Sequence, residues 1–226
     1  MNLSLKREHF IQYVSSQLNN IFPDGNTVNL NEYSSEFDLT IDRLDFCYKK
    51  VSYQHYFDGS QTYLNHLHSD QYLMFIWFLS NTIYSKTNDI SLANKLYYLN
   101  KSLHGFDCLF NTALPNIFLI FHGVGTMLGK ASYSDYFVAL QGCTIGSQKS
   151  SYPIMGKGVS LAAGSSIIGN CDIGDRVSVS ANSHLFNVNV ESNHVSYYDN
   201  LKGGNVVKKS KTPYAQNFFN INLNNI

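Results

Sequence analysis

Residues Met155–Leu185 read MGKGVSLAAGSSIIGNCDIGDRVSVSANSHL, and their spacing decides the fold. Met155, Leu161, Ile167, Ile173, Val179 and Leu185 stand six residues apart. Upstream, Phe121, Met127, Tyr133, Ala139 and Ile145 do the same. Within the two runs, the residue four places after each is mostly small: Gly125, Ala131, Cys143, Ser165, Cys171 and Ser183, with Phe137, Val159 and Val177 as exceptions. A helix repeats every 3.6 residues and an alternating strand every 2, so neither gives a period of six. A hexad with one large and one small inward position describes a short flat strand followed by a tight corner. Three hexads close a triangular coil of about 18 residues, and stacked coils bury a continuous interior. Ile145 and Met155 are ten apart, four more than a hexad, so Gly146 to Ile154 is expected to leave the coil as an exposed loop.

Composition agrees with a change of character halfway. Ten of the 15 glycines lie between Gly123 and Gly174, and only three precede residue 122. The 226 residues carry 16 Lys+Arg against 16 Asp+Glu, which argues against a nucleic-acid partner, since that needs a basic face. Charged residues are 14%, well below the ordinary quarter, and aromatic residues are also 14%, so the chain has ample surface to bury and is not disordered. The longest apolar run, Tyr72 to Leu79, is too short to span a bilayer, and no secretory leader is legible. Cys47, Cys108, Cys143 and Cys171 form no paired motif, so reduced thiols and a cytoplasmic location are expected, without a disulfide framework or zinc site.

The first half reads as helical. Phe10, Ile11, Val14, Leu18, Ile21 and Phe22 form one stripe, stopped by Pro23-Asp24-Gly25, and Phe37, Ile41, Leu44, Tyr48 and Val51 form a second. A third helix is expected to start after Ser69 as its N-cap and run through Trp77. Leu92, Ala93, Leu96, Leu99 and Leu103 give a fourth, closed by Gly105. The expected organisation is an all-α domain over 1–104, a β-helix over 105–190, and a C-terminal hairpin and loosely packed tail over 191–226.

This order of elements, with the hexapeptide repeats, resembles the serine acetyltransferase branch of the hexapeptide acyltransferases. Two stretches carry the resemblance: Phe121-His122-Gly123-Val124-Gly125-Thr126-Met127-Leu128-Gly129 and Met155 to Asn170. It implies a left-handed parallel β-helix, acetyl-CoA as co-substrate, and His122 as general base with Asp107, fifteen residues earlier, as its partner. A carboxylate on one imidazole nitrogen fixes the tautomer and leaves the other nitrogen to take a proton from the acceptor. It also implies small-residue donor contacts at Gly146, Ala163 and Ala181, and an acidic residue of the helical half, Asp70, near the acceptor. Lys202, Lys208 and Lys209 are candidates for the phosphates of coenzyme A. The family is trimeric, often as a dimer of trimers, so a homotrimer is expected.

The chain departs from the family where the acceptor binds. Phe121 stands where the family has Asp, and Ser151-Tyr152 stand where it has Arg-His before Pro153. Loss of the guanidinium removes the natural partner of an amino-acid carboxylate, and an aromatic floor of Phe121 and Tyr152 suits a sugar or nucleotide-sugar hydroxyl. His104 is a candidate to support the pair, while His66 and His68 lack a third ligand, so no metal is expected. Three readings stay open: O-acetyl transfer, N-acetyl transfer to an amino sugar, and a non-catalytic β-helix assembly subunit.

Overall fold

Four helices come first, each placed by its apolar stripe. The computed structural model describes residues 1–226. Helix α1 (Arg7–Ile21) buries Phe10, Ile11, Val14 and Leu18, and α2 (Ser34–Tyr48) buries Phe37, Leu44, Cys47 and Tyr48. Helix α3 (Ser69–Thr87) is buried continuously from Asp70 to Ser80, because α2, α4 and the first strand of the second half all pack around it. Its N-cap is His68, whose side chain accepts the Gln71 N–H, so the expected Ser69 cap moves one residue back. Helix α4 (Ile90–His104) starts on Asp89, which accepts the Leu92 N–H at 2.9 Å. It stops at Gly105, where φ is 63°, a left-handed conformation that favours glycine.

From Phe118 the chain winds into stacked coils joined by parallel ladders. Strand Ser178–Val179 pairs with Ser160–Leu161, His184–Phe186 with Ser166–Ile168, and Asp172–Ile173 with Ile154–Met155. In each case the offset is 18 residues (178−160, 184−166 and 172−154), the coil length that three hexads require. Val138 pairs with Ser160, an offset of 22, because this coil carries the four-residue excursion. The excursion is a small hairpin: Gln148 and Ser151 exchange backbone hydrogen bonds across Lys149 and Ser150, both left-handed.

Nine of the eleven hexad residues point inward: Tyr133 is 9% exposed, and Ala139, Ile145 and the six from Met155 to Leu185 are at most 2%. Phe121 and Met127 do not. Met127 is 47% exposed, and Ile120 and Leu128 occupy the interior instead, opposite Ala139 and Ile145. The leading coil is irregular because its outer neighbours are helices and not another coil.

The end of the chain corrects the expectation of a loose tail. His194–Asp199 extends the first sheet beside Ser178–Val179 and turns back as Gly204–Lys209, the expected hairpin. The chain then crosses the sheet as a strap. The Tyr214 N–H donates to Ser178 Oγ at 2.9 Å, the Ser52 N–H donates to the Phe218 carbonyl at 2.9 Å, and the Asn220 N–H to the Lys50 carbonyl at 2.9 Å. Ala215, Phe218, Phe219 and Leu223 are buried, so four apolar anchors in an Asn-rich stretch suffice to dock it. One continuous buried cluster runs from Phe10 to Leu223 through both halves.

Candidate active site

His122 stands at the corner that follows strand Phe118–Ile120, and its backbone is left-handed (φ 55°). Such a φ is uncommon outside glycine and is kept only where neighbours enforce it. Helix α3 is that neighbour. A Cβ on Gly123 would lie 2.6 Å from Leu73 Cδ1 and 2.8 Å from Ile120 Cγ2, so the glycine lets the helix seat directly on the corner. The same seating delivers Asp70, in the first turn of α3 and 5% exposed. Asp70 Oδ2 accepts the His122 backbone N–H at 3.0 Å and lies 3.6 Å from His122 Nδ1. The His122 side chain itself is 65% exposed.

Asp107 is not brought to His122. It pairs with Met127, an offset of 20 (127−107), so it sits five positions past the His122 register, on the next face of the coil. The spacing of fifteen assumes a regular coil, and the leading coil is not regular. Both Asp107 oxygens are engaged by α4: Tyr97 Oη donates to one at 2.7 Å and Lys101 Nζ to the other at 2.7 Å. Burial pushes the carboxyl pKa up, but the hydrogen bonds from Lys101 and Tyr97 and the lysine charge outweigh it and hold the group below its ordinary value.

The proposed aromatic floor is not formed within one chain. The Phe121 ring stacks on Tyr53 (centroids 5.2 Å, planes 19° apart) and meets the edge of Phe218 at 5.5 Å, with the His122 ring 4.3 Å away. Tyr152 has separate company: it is 38% exposed, and Lys130 Nζ lies 4.8 Å from its ring centre. Tyr53 and Phe218 are members of the site that no local pattern signals, since one lies in an irregular connection and the other in the strap. His66 Nδ1 bonds Ser4 Oγ at 2.8 Å and His68 caps α3, so these two histidines face different partners. All four cysteines are free and buried, and burial raises Cys47 and Cys108 to about 12, which leaves no thiolate there.

His104 is half-buried against Tyr72 of α3, with Nδ1 2.7 Å from Asn100 Oδ1. Burial lowers its pKa, and the Asn100 contact and the Asp70 charge offset this only in part. A histidine depressed in the folded state is neutral there while the unfolded chain binds a proton. Its contribution is therefore intact above about pH 6.5 and is lost as the pH falls toward the folded value. His104→Gln is expected to flatten the fall of the urea midpoint between about pH 7 and pH 5 relative to wild type.

Two of the donor candidates share the corner of His122. Gly125, Gly142, Gly164 and Asn182 are left-handed corners stacked on one another. The Gly142, Gly164 and Asn182 N–H groups donate to the carbonyls of Val124, Gln141 and Ala163 at 2.9–3.0 Å. Val124, Gln141, Ala163 and Ala181 thus form a column beginning two residues from His122. Three steps of ~4.8 Å make it about 14 Å long. A cavity of about 520 Å³ opens at its far end, lined by Ala162, Ser180, Ala181 and Tyr214 among others. Gly146 is at the end of strand Thr144–Gly146, one corner further round, and lies outside this column. Lys202 is exposed in the hairpin turn, and Lys208 Nζ lies 4.9 Å from the ring centre of Tyr197.

An exposed imidazole beside a buried carboxylate, at the head of a column of stacked corners, is an arrangement suited to proton abstraction next to an extended ligand. No family model matches the chain, and no curated protein sequence matches it. Solved structures do. Serine acetyltransferase from Neisseria gonorrhoeae aligns over 90% of this chain and 80% of its own, with a TM-score of 0.64 and 19% identity. The enzyme from Brucella abortus strain S19 in complex with coenzyme A aligns over 92% and 83%, with a TM-score of 0.65 and 19% identity. Isoform 3 from Entamoeba histolytica, in complex with cysteine, aligns over 84% and 70%, with a TM-score of 0.56 and 19% identity. The chain has the fold of these enzymes, a helical half followed by a left-handed parallel β-helix. No helix is long and apolar enough to cross a membrane.

Proposed function

We propose that the chain is an acetyl-CoA-dependent O-acetyltransferase with His122 as its general base. The observation that carries this reading is the exposed His122 imidazole at the head of the column of stacked corners that ends in Ala163 and Ala181. The likeness in fold to an enzyme crystallised with coenzyme A supports the donor. In the reaction, an acceptor hydroxyl attacks the thioester carbonyl while His122 takes its proton. The tetrahedral intermediate then collapses, the C–S bond breaks, and the imidazolium returns the proton to the departing thiolate. The products are the acetyl ester and free coenzyme A. A positioned base of this kind supplies roughly 10²–10⁴-fold in rate.

The acceptor we propose is a neutral hydroxyl compound, such as a sugar or nucleotide sugar. The three arginines are committed elsewhere: Arg7 to Asp38, Arg43 to Thr82 and Asn81, and Arg176 to Asn193 and the Ile226 carbonyl. Within the chain, no guanidinium is left for an amino-acid carboxylate at His122. The active assembly we propose is a homotrimer through the coils, where the exposed Met127 and Phe186, on the outer side of one sheet, favour a covered face. The deciding experiment uses ¹³C-acetyl-CoA with a hexose, a nucleotide sugar, an amino sugar and L-serine, followed by product mass and linkage. Acetyl esters on the sugar hydroxyls are expected. O-acetylserine as the dominant product overturns the acceptor assignment, and amide products alone overturn O-transfer.

A further inference from the structure

The carboxylate that supports His122 comes from the helical half and not from the coils. We propose that Asp70 is the positioning residue for the His122 imidazole. This inference rests on the reading of His122 as a base.

Three observations carry it. Asp70 is 5% exposed, and its one side-chain hydrogen bond is accepted from the His122 main chain at 3.0 Å. The same oxygen lies 3.6 Å from Nδ1, so the carboxylate grips both the backbone and the ring of a single residue. The competing carboxylate, Asp107, has both oxygens filled by Tyr97 and Lys101. At 3.6 Å the ring contact is longer than a hydrogen bond, and a ring rotation that closes it by about 0.7 Å makes one.

The geometry has a chemical consequence. A carboxylate facing Nδ1 selects the Nδ1–H tautomer, which leaves Nε2 with the bare lone pair on the exposed side of the ring. As the acceptor proton arrives at Nε2, the Asp70 charge stabilises the imidazolium that forms. The left-handed backbone at His122 also finds its reason here, because the corner must aim the main-chain N–H and Nδ1 at one oxygen.

Long-range ¹H–¹⁵N correlation of the ¹⁵N-histidine-labelled assembly reads the tautomer directly, with His122 assigned by the signal lost in His122→Asn. At a pH where the ring is neutral, wild-type His122 is expected as the Nδ1–H tautomer. Asp70→Ala, which removes the acceptor facing Nδ1, is expected to shift it toward Nε2–H, whereas Asp107→Asn leaves it as in wild type. With turnover, Asp70→Asn is expected to lower kcat by about 10²–10⁴-fold with KM for acetyl-CoA within about twofold. A wild-type Nε2–H tautomer overturns the proposal without recourse to any variant, and so does conversion by Asp107→Asn in place of Asp70→Ala. The tautomer is read without substrate. Absence of acetyl transfer therefore defeats the reading of the enzyme while the pairing result stands on its own.

Discussion

His122→Asn is expected to lower kcat for acetyl transfer by about 10²–10⁴-fold, with the fold intact. Asn is the informative replacement because the position has φ 55°, and Asn tolerates left-handed backbone better than Ala does. The imidazole is 65% exposed, so its removal sacrifices little packing, and the backbone N–H to Asp70 is retained. Stability should change by no more than about 0.5 kcal/mol, the usual range for a surface position. The pair of measurements separates a missing base from a damaged corner. Loss of turnover with an unchanged urea midpoint assigns the effect to chemistry. Full turnover by this variant removes His122 from the mechanism.

Phe219→Ala is expected to cost the protein about 3–5 kcal/mol. The ring is 1% exposed, it meets Tyr136 edge-on at 5.3 Å, and its backbone bridges to Val51 of the helical half. For a chain of this size that loss lowers the melting temperature by about 6–20 °C. The effect should reach the active site, because the neighbouring Phe218 packs against both Tyr53 and Phe121, and Phe121 adjoins the His122 ring. A melting temperature within about 2 °C of wild type would mean that the strap is not docked as described.

The sequence made the coils legible because each hexad repeats the same inward demand. From Tyr133 onward the pattern and the buried interior agree, and the ten-residue gap marks the hairpin at Gln148–Ser151. The pattern misleads at its start. Phe121 and Met127 satisfy the spacing, yet Ile120 and Leu128 fill the interior, since the first coil answers to helices above it. The same irregularity carries Asp107 past His122, a displacement that residue counting along an ideal coil has no means to register. Asp70 and Phe218 reach the site by tertiary docking of a helix and a strap, and neither docking leaves a local signal. The strap is hidden further by composition, because its few apolar anchors are diluted among asparagines. Only part of the aromatic excess belongs to the packed core, chiefly phenylalanines such as Phe10, Phe37, Phe75, Phe78 and Phe118, with Trp77.

The central chemical step is transfer of an acetyl group from acetyl-CoA at the His122 corner. Release of free coenzyme A thiol, followed with acetyl-CoA and the panel of hydroxyl acceptors, tests it most directly. Acceptor-dependent thiol release by wild type, lost in His122→Asn, is the expected result. Thiol release that no acceptor stimulates, or that persists undiminished without the imidazole, contradicts it.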